Sequence, residues 1–155
     1  MNETICVRDA RAADRDFVVE CNAAMASETE GRTLERAVLA GGVAAVFQEP
    51  RRGFYLVAER AGVRAGCLMI TTEWSDWRNG DWWWVQSVYV IPGARRHGVF
   101  RALYVEAEHR ARVAADVIGL RLYVERDNRA AQATYQRMGM HETPYRVYEC
   151  GFGEA

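Results

Sequence analysis

The chain has 155 residues, half of them hydrophobic, and its 20 basic side chains, all arginine, nearly balance 21 acidic ones for a formal net charge of −1. That is enough apolar material for one core without disulfides or metal, and the charge balance gives neither nucleic acid nor an anionic membrane a reason to bind. No apolar run approaches the roughly 20 residues of a membrane span, and the start MNETICVRDARAADRD is too charged for a signal peptide, so the expectation is a single domain over residues 1–155, cytoplasmic, contacting no nucleic acid and no membrane.

Four scattered cysteines, Cys6, Cys21, Cys67 and Cys150, form neither a zinc knuckle nor a redox CxxC and read as small hydrophobes, and His97, His109 and His141 lack metal-ligand spacing, so no metal is expected. In chain order, Thr4 to Arg8 reads as a strand, and Phe17, Val18, Cys21 and Met25 recur at helical spacing from about Ala12 to Ala26. A second helical stretch, Thr33 to Gln48, is read as interrupted at Gly41-Gly42 and stopped by Pro50. GFYLVAE and AGCLMITTE flank RAGVR as a hairpin. Residues 82–91 form a strand rich in aromatic and β-branched types that ends at Pro92-Gly93. A helix from about Val99 to Ala115 carries Phe100, Leu103, Ala107, Ala111 and Ala114 on one face. Gly119 is expected to cap the turn into the strand LRLYVE; Asn128 opens a helix to Met138, closed by Gly139. YRVYEC is expected as the last strand. The order gives a mixed α/β (α+β) sheet.

One junction carries chemistry. Strand 82–91, loop 92–98 and helix 99–115 put backbone amides near residues 96–101 at a helix N-terminus, where they lack intrahelical partners and meet the positive end of the dipole. Gly98 lets an anion approach the backbone, and Arg95, Arg96 and Arg101 add charge. A solvated arginine cluster is the alternative for this loop taken alone.

YVIPGARRHGVFRALYVEAEHRA resembles the acyl-CoA-binding segment of the GCN5-related N-acetyltransferases (GNAT), whose pattern is Arg/Gln-x-x-Gly-x-Gly/Ala; Arg95 and Gly98 match and Phe100 departs from the small third residue. VERDNRAAQATYQRMGM resembles the family's Asn-x-x-Ala-x-x-x-Tyr-x-x-x-Gly-Phe signature through Asn128, Ala131, Tyr135 and Gly139, with Met140 replacing the aromatic. The resemblance covers residues 54–149 well and the first 50 only by element order. It implies a GNAT-like fold, a central, mostly antiparallel mixed sheet with helices on both faces. It also implies acetyl-CoA as co-substrate, held by Val88, Tyr89 and Val90 along the pantetheine arm and by Arg95, Arg96, His97, Gly98, Val99, Phe100 and Arg101 at the pyrophosphate, with Asn128 and Tyr135 as further contacts. Asn128 can equally be a helix cap.

On the same resemblance, Tyr135 is the general acid for the leaving thiolate, a role suited to a phenol of pKa about 10; packing on an apolar helix face is its alternative. The acceptor is a primary amine of a small cationic molecule, whose deprotonation from a pKa near 10.4 costs roughly 4.6 kcal/mol at neutral pH. Gln86 and Ser87 stand where many relatives place a glutamate, so the base is sought in Glu73 or Glu125 acting through water, or likewise in Glu28 or Glu30 of the helix-to-helix loop SETEGRT; solvated loop charges are the alternative for the last two. Glu28, Glu30, Trp77, Trp82 and Gln86 are candidate acceptor contacts, with Trp74 beside them. Strict alternation places Trp82, Trp84, Gln86 and Val88 on one face and Trp83, Val85, Ser87 and Tyr89 on the other, a strand apolar on both faces and hence interior to a sheet. A domain that binds acyl-CoA without turnover and an aromatic binding module are the competing readings. A homodimer is expected from the family.

Overall fold

The computed structural model describes residues 4–153 and divides at Tyr123/Val124 into two compact units. The N-terminal unit is a five-stranded sheet in the order β1-β2-β3-β4-β5. Its strands are β1 (Ile5–Asp9), β2 (Phe54–Arg60), β3 (Val63–Ser75), β4 (Gly80–Val90) and β5 (Val117–Leu122), and its helices α1 (Arg15–Glu30), α2 (Arg36–Gln48) and α3 (Val99–Val113). Neighbouring strands run antiparallel except β4 and β5, which are parallel across the α3 crossover. The expected mixed, mostly antiparallel sheet is therefore what the chain forms.

Alternation along β2 and β3 sorts the core into two layers. Leu56, Ala58, Leu68 and Ile70 point to α3 and meet Val99, Leu103 and Ala107, while Tyr55, Val57 and Cys67 point the other way and meet Val18 and Cys21 of α1 and Val43 of α2. Helices thus cover both faces of this unit, and β4 lies inside the sheet as its two apolar faces require. Trp83 and Val85 face the α3 layer, where Trp83 meets Phe54 edge-on at 5.3 Å between ring centroids.

Strict period-two reading of β4 fails at Ser87. Met69 pairs with Gln86 but Cys67 pairs with Tyr89, so β4 carries one extra residue in a bulge where Ser87 takes φ +49°. The inserted residue reverses the alternation. Val88 packs with the α3 layer and Tyr89 with α1, the opposite of the faces expected for them.

An ionic cluster fastens the edge of the sheet. Asp14, only 1 % exposed, accepts from the Arg8 guanidinium at 2.7 and 3.2 Å and from the Arg11 amide at 2.7 Å, and pairs with Arg64 at 2.8 Å. These partners hold its carboxyl down at about 2, the Arg8 hydrogen bond contributing most.

Three further expectations change. Helix α2 runs through Gly41-Gly42 without a break; each glycine costs about 1 kcal/mol relative to alanine, which α2 offsets by packing Val43 and its neighbours against α1. Gly119 lies inside β5 rather than in a turn before it, because the Trp82 ring rests across it: a Cβ there would fall 2.5 Å from the ring. The segment YRVYEC forms no strand. Its Tyr145, Val147 and Tyr148 are exposed and no ladder bonds pair it, and strand propensity without a paired neighbour makes no sheet.

The C-terminal unit contains α4 (Arg129–Arg137), opened by Asn128, whose side chain accepts from the Ala131 amide at 3.0 Å, and followed by Gly139 at φ +89°. Both ends match the sequence reading. Among the described residues no helix is long and apolar enough to cross a membrane.

Candidate active site

The parallel ladder between β4 and β5 ends at Val85 opposite Leu122, whereas β4 continues to pair with β3 as far as Val90 opposite Gly66. From Gln86 to Val90 one edge of β4 therefore has no ladder partner among the described residues. The bulge at Ser87 sits where the two strands part, and its extra twist is a physical reason for the parting. Backbone groups on such an edge can pair with an extended ligand as they would with another strand.

Beyond β4 the chain makes a tight turn at Pro92–Ala94, takes φ +66° at Arg96 and φ +83° at Gly98, and enters α3. Gly98 is the N-cap and brings no side-chain acceptor, and a Cβ on it would meet only Ile5, at 3.9 Å. The first turn of α3 therefore offers its amides and its positive dipole end without a capping side chain. Arg96, His97 and Arg101 are exposed around it, and Val99 is buried beneath. Phe100 turns along the helix toward Tyr104, 6.2 Å between ring centroids, so its bulk lies beside the helix rather than across the turn. The loop and the free edge fit a long anionic ligand with an amide-bearing arm.

Arg95 is tied elsewhere. Its guanidinium pairs with Glu28 at 2.7 Å, donates to the Val90 carbonyl at 3.0 Å and lies 5.4 Å from the centre of the Tyr89 ring. Tyr89 donates its hydroxyl to the other Glu28 oxygen at 2.6 Å. Glu28 is held below the usual carboxylate range by Tyr89 first and Arg95 second, and the Tyr89 phenol is pushed up by burial and by Glu28. Glu28 and Glu30 lie on the last turn of α1, not in a loop, and Glu30 pairs with Arg32 at 3.7 Å. The triad clamps the end of α1 to the start of the basic loop.

The α1/α2 face of the sheet extends beyond those helices into polar and aromatic groups. Gln86 donates to the Thr71 hydroxyl. Glu73 accepts from the Trp84 indole N–H at 2.7 Å and from Arg121 at 2.9 Å. The Arg121 guanidinium lies 4.1 Å from the centre of the Trp82 ring, and Trp84 stacks on Tyr123 at 4.5 Å and 30°. Trp77 stands 86 % exposed in the turn before Gly80. From Gly80 to Gln86 the strand spans roughly 20 Å at about 3.3 Å per residue, which sets Trp77 apart from Gln86. Trp74 is exposed near the same turn.

Sequence reasoning did not name Thr71, Trp84, Arg121 or Tyr123 as site residues. The signal for Arg121 and Tyr123 is their alternation with Leu120 and Leu122, which becomes informative once the β4–β5 register is known.

In the C-terminal unit Asn128 is occupied as the cap of α4, and Tyr135 lies half-buried on that helix, its phenol pushed up by desolvation. Glu125 is exposed, its backbone carbonyl accepting from Gln132 at 3.0 Å, and its carboxylate pairs with no arginine among the described residues.

Residues 18–140 match the family described as Acetyltransferase (GNAT) family. The crystal structure of a possible acetyltransferase from Clostridium difficile 630 is similar at TM-score 0.91 and 39 % identity, over 98 % of this chain and 100 % of that one. An integron cassette protein from the mobile metagenome of Cole Harbour Salt Marsh has TM-score 0.83 at 19 % identity over 96 % and 91 % of the two chains. Glucosamine-6-phosphate N-acetyltransferase from Arabidopsis thaliana has TM-score 0.72 at 15 % identity over 96 % and 99 %, a likeness of fold. No curated protein matches the chain.

Proposed function

The chain belongs to the acetyltransferase (GNAT) family, and from that premise we propose that it is an acetyl-CoA-dependent N-acetyltransferase acting on a primary amine of a small molecule. The observation that carries the reading is the free edge of β4 from Gln86 to Val90 leading directly into the glycine-capped start of α3.

Val88, Tyr89 and Val90 would pair with the pantetheine arm through their backbone groups, and the amides at the start of α3 would hold the pyrophosphate, with Arg96 and Arg101 adding charge. Arg95 contributes by fixing the loop through Glu28 and Val90. Asn128 acts as a cap first. Acetyl-CoA, when bound, supplies the thioester whose carbonyl carbon the amine attacks, with loss of the thiolate.

Tyr135 donates its phenolic proton to the departing sulfur. A phenol of ordinary pKa about 10 is already neutral at physiological pH, and desolvation pushes it up further, so the proton is present when needed. Gln86 cannot titrate near neutrality and serves the amine as a hydrogen-bonding partner. Glu73 is committed to Trp84 and Arg121 and holds those side chains in place. Glu125, with no arginine partner among the described residues, takes the ammonium proton through water.

The test is thiol release from acetyl-CoA by the purified chain across a panel of primary amines, against a control without amine. Amine-dependent release is the expected result. Saturable CoA binding with no release by any amine would favour the reading as an acyl-CoA sensor.

A further inference from the structure

We propose that the acceptor carries an aromatic ring on a short alkyl tether to its amine, and that the ring stacks on Tyr123, positioned by Trp84. This rests on the reading of the site as an N-acetyltransferase centre.

A polycationic acceptor needs unpaired acidic groups, and the site offers few. Glu28 is paired with Arg95, Glu30 with Arg32 and Glu73 with Arg121. Trp82, a face on which a cation could also settle, is already occupied. The Arg121 guanidinium lies 4.1 Å from its ring centre, Arg78 lies 5.7 Å away, and the ring edge rests on Gly119, where a Cβ would come within 2.5 Å. Those three carboxylates and the cation-binding ring face are satisfied internally, and Glu125, which pairs with no arginine among the described residues, matches one ammonium group rather than several.

What the site leaves open is an aromatic surface. Tyr123 stacks on Trp84 at 4.5 Å yet remains 61 % exposed, and Trp84 is fixed from its edge by Glu73, itself held by Arg121. The parallel register puts Arg121 beside Trp84 and Leu122 beside Val85. Tyr123 therefore follows the last ladder pair by one residue, about 3.3 Å along the strand, at the level of Gln86 and the parting of the strands. The exposed ring stands next to the point where the acyl group would lie. A tether of one or two carbons between ring and amine suits that adjacency, and a ring pair gains geometry-specific attraction that a flexible polyamine does not.

The experiment compares phenethylamine, tyramine and tryptamine with putrescine, spermidine and n-butylamine. It reads kcat/KM by thiol release and, without acetyl-CoA, binding by quenching of tryptophan fluorescence. The ring-bearing amines are expected to be preferred by about three- to tenfold, the scale of one aromatic contact. Tyr123→Ala should raise their KM by a similar factor while the KM for acetyl-CoA stays, and Tyr123→Phe should restore it. Equal or better kcat/KM for putrescine or spermidine, or an unchanged ranking in Tyr123→Ala, overturns the proposal while the N-acetyltransferase reading stands. If no amine releases thiol, that reading fails separately, and fluorescence still decides: quenching by the ring-bearing amines, lost in Tyr123→Ala, supports the aromatic site, and its absence refutes it.

Discussion

Asp14 should make the fold sensitive to acid. Its carboxyl is 1 % exposed and receives hydrogen bonds from Arg8 and from the Arg11 amide while pairing with Arg64. Those interactions hold it at about 2 against an ordinary 3.8. The folded protein therefore binds this proton less readily than the unfolded chain, and the stabilisation is fully present above the unfolded value. It is lost as pH falls from about 4 through about 2. The difference in pKa converts to about 2 kcal/mol, a sizeable share of the 5–15 kcal/mol typical of a domain. Urea unfolding at intervals between pH 6 and pH 2.5 measures it, with Asp14→Asn as the comparison. The variant should be less stable by about 2–3 kcal/mol at pH 6, since Arg64 loses its carboxylate and Arg8 keeps only Glu59, and the gap should narrow below about pH 4 as the unfolded wild-type chain takes up the proton that its folded form resists. A gap that stays constant across that interval would refute the reasoning.

Glu28→Gln removes the charge that holds Arg95 and Tyr89, so the KM for acetyl-CoA should rise several-fold, read from initial-rate kinetics, with a smaller change in kcat. Gly119→Ala sets a methyl group against the Trp82 ring; urea denaturation should show a loss of about 1–3 kcal/mol, the usual cost of overpacking, and near-ultraviolet circular dichroism a displaced tryptophan.

Most strands and their order along the chain were legible because hydrophobic alternation and turn residues are local signals, whereas their mostly antiparallel pairing was implied by the family resemblance. Val57 and Leu68 declare their faces within a few positions. Ser87 does not: a bulge depends on how two strands pair, so the faces of Val88 and Tyr89 could be read only after Met69 and Cys67 were matched to their partners. The strand expected at YRVYEC failed for a related reason, since alternation cannot supply a neighbour. Gly119 reads locally as a turn and is instead the floor for a tryptophan on the adjacent strand. In the site, the glycine-capped loop was legible because Gly98 and its arginines adjoin in sequence. The pairing of Arg95 with Glu28 was not, because 67 positions separate them. The same holds for the cluster of Glu73, Trp84 and Arg121, which only the register of three strands assembles.

The most direct test of the central claim compares wild type with Tyr135→Phe at saturating acetyl-CoA, using the amine that releases thiol fastest. Loss of a general acid should lower kcat by about 10²–10⁴-fold and leave the KM for acetyl-CoA within a few-fold of wild type, with far-ultraviolet circular dichroism unchanged. An unaltered kcat would contradict the assignment of Tyr135 as the proton donor and, with it, the mechanism proposed for this chain.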